Sequence, residues 1–318
     1  MKQKFYSFIF MTILFLVIFF IFSSGSKISD VVIFSSNLFL KNVFPSLFPM
    51  FIISSLLVAA GFPIFLGNLF SFVMKRFFKV KKEASFVFFM SMITGFPSSA
   101  KYISDLTNQN LIDENDGEKI LLFTFFSNPL FIVNTVGGIF LNNIKFGYLI
   151  LISHVLGNIV VGIILRNYNS VLIKNDKVSF KESLRVLNRN INNLNIFKIL
   201  LNSIKDGIST LLTIYGIITT FLIIVSLFNI NYDNTLSCFL IGIVEMTSGL
   251  KFLSLTNTNL FLKLILSCFL ISFGGFSVHT QIMNILSEKK IKYGPFLLAR
   301  LIHAFISVII LFLILIFQ

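Results

Sequence analysis

The sequence contains no tryptophan, only two cysteines and few charged residues. Charged side chains make up 12% of its 318 residues, whereas soluble globular chains carry about 25%. Apolar residues take their place: 56% of the chain is hydrophobic, 42 residues are phenylalanine, and the mean hydropathy is +0.91. Apolar segments recur along the whole length, and no long polar region remains that could form a water-soluble domain. The composition therefore predicts an integral membrane protein.

Motifs of catalysis and metal binding are also missing. Cys238 and Cys268 lie in apolar segments without a CxxC spacing, and the three histidines are scattered, so we predict neither a metal site nor a cofactor. There is no GxSxG, HExxH or phosphate-binding loop. Ser277 and His279 resemble a nucleophile beside a base, but a spacing of two points their side chains apart on a helix. We therefore predict that the chain is not an enzyme.

The net charge of +13 comes from lysines and arginines gathered beside apolar segments, in the loops at 75–82, 166–198 and 288–294. This is the positive-inside distribution, and it places these loops and the N-terminus in the cytoplasm. A nucleic-acid partner would need a basic stripe on a soluble surface. None is visible, so the bilayer is the partner that the charges indicate.

The N-terminal apolar run at residues 5–22 follows the basic sequence MKQK and precedes the small residues SSGS. This pattern resembles a signal peptide. However, about 18 residues at a rise of 1.5 Å give a helix of ~27 Å, which is enough to span the hydrocarbon. An uncleaved first transmembrane helix is therefore favoured.

Apolar runs of membrane length alternate with interrupted ones, which predicts an all-α polytopic fold of about eight transmembrane or re-entrant elements. Continuous spans are expected at residues 5–22, 146–165, 212–227 and 295–317. Segments broken by proline, glycine or polar residues lie at 31–62, 84–106, 120–140, 236–253 and 261–286. A break frees backbone groups that hydrocarbon cannot satisfy, so five breaks indicate a shared polar interior. Any single break can equally be a packing kink.

The basic stretch 166–198 divides the chain nearly in half. We predict an N-terminal helix at 1–30, a first half at 31–165, a cytoplasmic linker at 166–198 that lies partly on the membrane surface, and a second half at 199–318. GFPSSAK at 95–101 corresponds to GFSVHTQ at 275–281, which predicts an internal repeat. Repeats with broken segments at matching places are typical of secondary transporters.

The side from which the broken segments enter follows less directly. If all the basic loops lie on the same side, the chain must cross the membrane an even number of times between them. This count requires 84–106 and 261–286 to be re-entrant hairpins rather than crossings. Both would then enter from the same side, which conflicts with an inverted repeat. The sidedness of the hairpins stays open at this level.

The first break offers an anion site. Pro97 suits the first turn of a helix, whose free N–H groups would face the break together with the Lys101 ammonium. A carboxylate is the ligand that such a helix start favours. The alternative is that Lys101 and Asp105, four residues apart, pair with each other. The candidate residues of this break are Gly95, Pro97, Ser98, Ser99 and Lys101.

The other breaks supply amides, hydroxyls and one carboxylate. Candidate substrate ligands are Ser127, Asn128, Asn134, Gly274, Gly275, Ser277, His279 and Gln281. Glu245, with Thr247, lies between apolar runs, so it is a candidate for coupling to Na⁺ or H⁺, and Asp105 is another. The alternative for Glu245 is that it only caps the following helix.

Five ordered motifs, FPSLFPMFIISSLL, TGFPSSAKYISDL, FFSNPLFIVNTVG, VEMTSGL and SFGGFSVHTQIM, give the chain a specific resemblance. It resembles the YlbJ (SpoVV) family of sporulation integral membrane proteins, with their two nucleoside-recognition or "gate" regions, from about residue 40 to 303. The chain is shorter than typical relatives in its loops and carries Ser127 where a second Asn is common.

The resemblance implies an endospore-forming bacterium and the transport of a small anion, dipicolinic acid, from the mother cell across the outer forespore membrane. The gate regions also resemble those of concentrative nucleoside transporters. The alternatives are therefore a nucleoside or ion carrier of related architecture, or a membrane scaffold of spore assembly that transports nothing.

Overall fold

The structure is a computed structural model that describes residues 25–169, 180–227 and 234–317, with a few isolated positions before Gly25. All regular secondary structure in these ranges is helical, and several helices are long and apolar enough to cross a membrane. The predicted all-α polytopic membrane fold is therefore confirmed. The helix predicted at 5–22 falls mostly outside the described residues, as do residues 170–179 of the linker.

Seven described α-helices precede the linker. They are α1 (Gly25–Leu38), α2 (Phe44–Ala59), α3 (Phe62–Val73), α4 (Ala84–Thr94), α5 (Ser98–Asn108), α6 (Glu114–Leu121) and α7 (Ile144–Ile164). Wider π-helical segments extend or join them at Phe39–Val43, Met74–Phe78 and Phe131–Phe140. One helix, α8 (Phe180–Asn193), lies in the linker. The last six described helices are α9 (Ile196–Leu227), α10 (Thr235–Val244), α11 (Met246–Leu255), α12 (Leu260–Phe273), α13 (Gly275–Ile285) and α14 (Tyr293–Ile316).

Three of the predicted continuous spans are confirmed. Ile144–Asn167, Ile196–Leu227 and Tyr293–Ile316 are each long and apolar enough to cross the membrane. Helices α1 and α2 together are also long and apolar enough to cross, but they meet at an angle of 44° just before the FPSLFP motif, as the arms of a broken span or of a re-entrant loop do. α14 packs against α7 and α12, while α9 packs against α1 and α2.

Helices α4 and α5 form a re-entrant hairpin, as the sequence predicted for 84–106. The Lys81 ammonium, just before α4, lies 3.3 Å from an Asp113 carboxylate oxygen and 2.8 Å from one of Asp116, both beyond α5. The two ends of the hairpin therefore share one face of the protein. Each arm has 11 residues, or about 16 Å of helix, so the tip reaches only halfway through the membrane.

The second hairpin is formed by α10 and α11, and the prediction that 261–286 is re-entrant is wrong. The hydroxyls of Thr235 and Thr258 hydrogen bond to each other, so α10 begins where α11 ends. In contrast, α12 and α13 continue through Gly274 as one 26-residue span, Leu260–Ile285. The count of membrane crossings failed because it took the broken segment 236–253 as one crossing. That segment forms two helices of 10 residues, each of which rises only about 15 Å.

The two hairpins enter from opposite faces. At the end of α13, the Lys289 ammonium donates to Asn108 Oδ1 at 2.5 Å, and the Lys292 N–H donates to Glu118 Oε2 at 3.0 Å. The span from Leu260 to Ile285 therefore ends at the face where the first hairpin enters. It begins at the other face, beside the base of the second hairpin.

Each half thus contains a hairpin, a broken span and a continuous span, in opposite orientation. The first set is α4–α5, α6 with Phe131–Phe140, and α7; the second is α10–α11, α12–α13, and α14. The predicted correspondence of 95–101 with 275–281 is wrong, because the first is a hairpin tip and the second a break inside a span. The hairpin tip at Gly95 corresponds instead to the tip at Glu245.

The basic loops lie together at the face where the first hairpin enters. The Lys79 ammonium donates to Asn167 Oδ1 at 2.7 Å. The Lys119 ammonium donates to the carbonyls of Lys79 and Arg166, each at 2.7 Å. The positive-inside rule predicts that this is the cytoplasmic face. The linker helix α8 packs against α3 at the same end.

Candidate functional site

A cavity of about 640 Å³ lies where the two hairpin tips meet the two broken spans. Residues of α2 and α9 also line it. Its polar lining comes from Lys41, Ser46, Thr94, Ser127, Asn128, Asn134, Thr135, Glu245, Thr247, Ser277 and Gln281. Its apolar lining includes Phe96, Pro97, Phe131, Ile214 and Val278.

Glycines allow each hairpin tip to rest on the break of a broken span. Gly95 has a φ of +82°, and a Cβ there would meet the Asn128 backbone nitrogen at 2.4 Å. In the second half, Gly275 has a φ of +70°, and a Cβ there would meet the Met246 nitrogen at 3.0 Å. Both positions combine a left-handed backbone with a close approach, so glycine is required at each.

Asn128 joins three of the elements that surround the cavity. Its Nδ2 donates to Ser46 Oγ at 2.9 Å and to the Thr94 carbonyl at 3.2 Å. Its Oδ1 accepts from the N–H groups of Leu130 and Phe131, at 2.8 and 3.3 Å. The amide therefore caps the helical segment after the break and also binds α2 and the first hairpin.

The chain at 122–128, between α6 and Pro129, is not helical, and side chains of α7 and α14 bind part of its backbone. Asn158 Nδ2 donates to the Phe125 carbonyl at 2.6 Å, and His154 Nε2 accepts from the Ser127 N–H at 2.9 Å. The Arg300 guanidinium donates to the Leu122 carbonyl. Irregular backbone persists at membrane depth only with such partners.

Glu245 caps helix α11 and lines the cavity at the same time. Its carboxylate oxygens accept from the N–H groups of Thr247 at 3.1 Å and Ser248 at 2.7 Å, and the residue is only 3% exposed. The capping role considered from the sequence is therefore present in the structure. Each oxygen keeps a further lone pair for a ligand, so ion coupling at Glu245 remains a prediction.

Lys101 and Asp105 lie behind the first hairpin tip rather than in the cavity. The Lys101 ammonium lies 2.5 Å from Asp105 Oδ1 on the next turn of α5, which is the pairing that their spacing permitted. Both are outside the cavity lining. Ser98 and Ser99 are also buried behind the tip. A role of these residues in binding therefore requires the hairpin to move.

His279 also lies away from the cavity. Its Nε2 donates to the Phe273 carbonyl at 2.8 Å, and its Nδ1 accepts from the Tyr293 hydroxyl at 3.1 Å, so both ring nitrogens are occupied. Gly274, with a φ of +91°, lies against the Phe125 ring, which a Cβ would meet at 2.3 Å. These two residues shape the break of the second broken span.

The predicted residues thus divide into two equal groups. Those in the cavity wall are Pro97, Ser127, Asn128, Asn134, Glu245, Thr247, Ser277 and Gln281. Those outside the lining are Gly95, Ser98, Ser99, Lys101, Asp105, Gly274, Gly275 and His279. Sequence reasoning missed Lys41, Ser46 and Thr94 in the lining. The FPSLFP break, which contains Ser46, was the available signal.

The buried cluster of His154, Asn158 and Arg300 was missed as well. An arginine inside the apolar run 295–317 was a detectable signal, because ionisable residues at membrane depth are rare and usually functional. No group of three potential metal ligands from His, Cys, Asp and Glu occurs within the described ranges.

Comparison with known proteins identifies the family. The chain is 34% identical over 293 residues to the sporulation integral membrane protein YlbJ of Bacillus subtilis (strain 168), which covers 82% of this chain and 71% of that protein. No family model and no solved structure matches the chain. With this identity over most of both sequences, the chain belongs to the YlbJ family of sporulation integral membrane proteins.

Proposed function

We propose that this protein is a secondary transporter of a small carboxylate, with dipicolinate as the first candidate, moved from the mother cell toward the forespore. The observation that carries the proposal is the cavity of about 640 Å³ that lies between two hairpin tips, which enter from opposite faces. Access from each face then depends on one hairpin, which is the arrangement that alternating access needs. A scaffold has no use for such a cavity.

The cavity suits a small planar molecule with carboxylate groups. Its volume falls within the range of about 300–1,000 Å³ typical of small-molecule sites. Phe96 and Phe131 offer apolar ring surfaces. Ser277 offers a hydroxyl donor in the first turn of α13, and Gln281 an amide donor one turn further. The free N–H groups of a helix start favour anions. Lys41 adds a cation at the exposed rim.

The Glu245 carboxylate favours a second candidate, a nucleoside or ion carrier. It lines the same cavity and can accept hydrogen bonds from sugar hydroxyls or bind a cation. In the carboxylate transporter, this negative charge is offset by the coupling ion, Na⁺ or H⁺, that enters with the substrate. Both candidate functions use the same cavity. Competition between a dicarboxylate and a nucleoside for uptake therefore shows which of the two the protein carries.

Sporulation is supported by the name of the Bacillus subtilis relative. We place the protein in the outer forespore membrane, where a carrier for dipicolinate would act. A fluorescent fusion in sporulating cells would show a signal around the forespore, and a signal confined to the vegetative membrane would contradict this location.

Uptake by proteoliposomes tests the function. Vesicles with the purified full chain should accumulate labelled pyridine-2,6-dicarboxylate, and unlabelled dicarboxylate should compete better than uridine. Gln281→Leu, in the cavity wall, should abolish the uptake. Thr280→Val is the matched control, because the exposed Thr280 hydroxyl donates only to Phe276 of its own helix. Saturable uridine uptake alone would favour the nucleoside carrier, and no uptake of either would support the scaffold.

A further inference from the structure

Arg300 is a fully buried cation that has no anionic partner among the described residues. It is 0% exposed, and the described ion pairs all involve Lys81, Lys82 or Lys101. Its Nε has no hydrogen-bond partner in the described structure. A buried charge without a counter-charge costs several kcal/mol, so its presence needs an explanation.

The groups around Arg300 stabilise it without cancelling its charge. The guanidinium donates to the Leu122 carbonyl and to Asn158 Oδ1 at 3.3 Å. It lies 4.7 Å from the centroid of the Phe125 ring and 5.4 Å from that of Phe296. Carbonyl dipoles and ring faces attract a cation, but they carry no net charge. A guanidinium also stays protonated, so the positive charge persists.

The neighbouring histidines are held neutral by their hydrogen bonds. His154 Nε2 accepts from the Ser127 N–H, which leaves the proton on Nδ1, 3.0 Å from Ser272 Oγ. His303 Nε2 donates to the His154 carbonyl at 2.9 Å, while its Nδ1 lies 3.1 Å from an Arg300 nitrogen and 3.0 Å from the Ser272 carbonyl oxygen. Because a guanidinium nitrogen can only donate, Nδ1 accepts from Arg300 and carries no proton. A protonated His303 would set a second buried cation against the guanidinium. The cluster therefore has a net charge of +1.

This charge lies directly behind the cavity wall. The Phe125 ring that contacts Arg300 also stacks on Phe96 at 4.7 Å between centroids, and Phe96 lines the cavity. Ser127, two residues beyond Phe125, lines it too. Between the guanidinium and the cavity thus lie the fully buried Phe125 ring and the partly buried Phe96 ring, and charges are screened less there than in water.

We propose that Arg300 makes the cavity selective for anions, so that the negative charge of the bound ligand supplies the counter-charge missing from the protein. This inference rests on the proposed carboxylate transport and names the residue that recognises the charge. Two unit charges about 10 Å apart in a medium of effective dielectric constant ~20 change a binding constant by roughly tenfold. A dianion gains more than a monoanion, and a neutral ligand gains nothing.

Other charged groups at the cavity cannot take this role. Lys41 lies at the exposed rim, where water and salt screen it. Glu245 has the wrong sign, and its oxygens are held by the start of α11. Lys101 is paired with Asp105. Arg300 is the cation near the cavity, among the described residues, that is both buried and unpaired.

The test compares three ligands of one shape and different charge: pyridine-2,6-dicarboxylate, pyridine-2-carboxylate and the neutral pyridine-2,6-dicarboxamide. Dissociation constants would be measured by calorimetry on the purified full chain. In Arg300→Gln, the preference for the dicarboxylate over the dicarboxamide should fall by roughly tenfold or more. Arg300→Lys should keep most of that preference, and Lys145→Gln, at an exposed lysine outside the cavity lining, should leave it unchanged.

A ratio of affinities separates charge recognition from a structural role. If Arg300 only holds the non-helical segment at 122–128 in place, Arg300→Gln weakens the binding of dicarboxylate and dicarboxamide equally. The ratio of the two dissociation constants then stays constant, and the inference is overturned. Asn158→Asp is a second variant, because it places a carboxylate beside Arg300 without removing it and should lower the same ratio. If the wild-type protein binds none of the three ligands, the proposed function fails and the inference fails with it.

Discussion

Gly95 and Asn128 are in contact along their backbones: a Cβ on Gly95 would lie 2.4 Å from the Asn128 nitrogen. The tip of the first hairpin therefore rests directly on the break of the next span. The neighbouring Phe96 N–H donates to the Phe126 carbonyl at 2.6 Å. Any movement of the hairpin that opens the cavity toward the cytoplasm must separate these two residues.

Substitution of Gly95 should therefore be severe. Gly95→Ala introduces a Cβ into the Asn128 backbone at a φ of +82°, where both the clash and the backbone are unfavourable. We expect a loss of more than about 2 kcal/mol in stability and of transport, measured by thermal unfolding in detergent and vesicle uptake. Gly216→Ala is the control, because a Cβ there meets nothing within 4 Å. A stable, active Gly95→Ala would contradict the contact.

Glu245→Gln tests ion coupling separately from helix capping. The variant removes the charge from the cavity, so uptake should lose its dependence on a Na⁺ or pH gradient. Loss of the cap alone costs about 1 kcal/mol. Asn259→Ala controls for that cost, since Asn259 caps α12 by accepting from the Leu262 N–H at 2.8 Å and lies outside the cavity lining. Unchanged gradient dependence in Glu245→Gln would exclude Glu245 as the coupling residue.

If Lys101 and Asp105 only pair with each other, removing both charges should reverse the damage caused by removing one. Lys101→Gln alone leaves a buried carboxylate without its partner, which is strongly destabilising, so protein level and uptake should both fall. The double variant Lys101→Gln/Asp105→Asn removes both charges and should restore them, because neither residue lines the cavity. If the double variant is stable but inactive, Lys101 acts on the substrate as the sequence first indicated.

The opposite entry of the two hairpins can be checked by labelling. Gln109 follows the first hairpin and Asn257 follows the second, and both are exposed. In intact non-sporulating cells that express the variants in their outer-facing cell membrane, an impermeant maleimide should label Asn257→Cys but reach Gln109→Cys only after permeabilisation. The native Cys238 and Cys268 are buried, so the parent protein is the unlabelled control. Labelling of both positions from one side would refute the inverted arrangement.

Local sequence determined the class of the protein and the places where its helices break. Hydropathy alone defines the membrane segments, because hydrocarbon accepts only long apolar helices. Pro97, Pro129 and Gly274 interrupt helices whatever surrounds them, so each break was predictable. The family motifs lie at these same breaks, and for that reason the resemblance was found before any contact was known.

Only the tertiary structure decided what each break does. Whether two short helices turn back or continue depends on distant partners, such as Thr235 with Thr258, and no local pattern encodes that contact. The same holds for Arg300, whose partners Leu122 and Asn158 are 178 and 142 residues away in sequence. Lys101 had two open roles in the sequence, and the structure pairs it with Asp105. Position relative to the cavity is a property of packing, so it appears only once both halves are assembled.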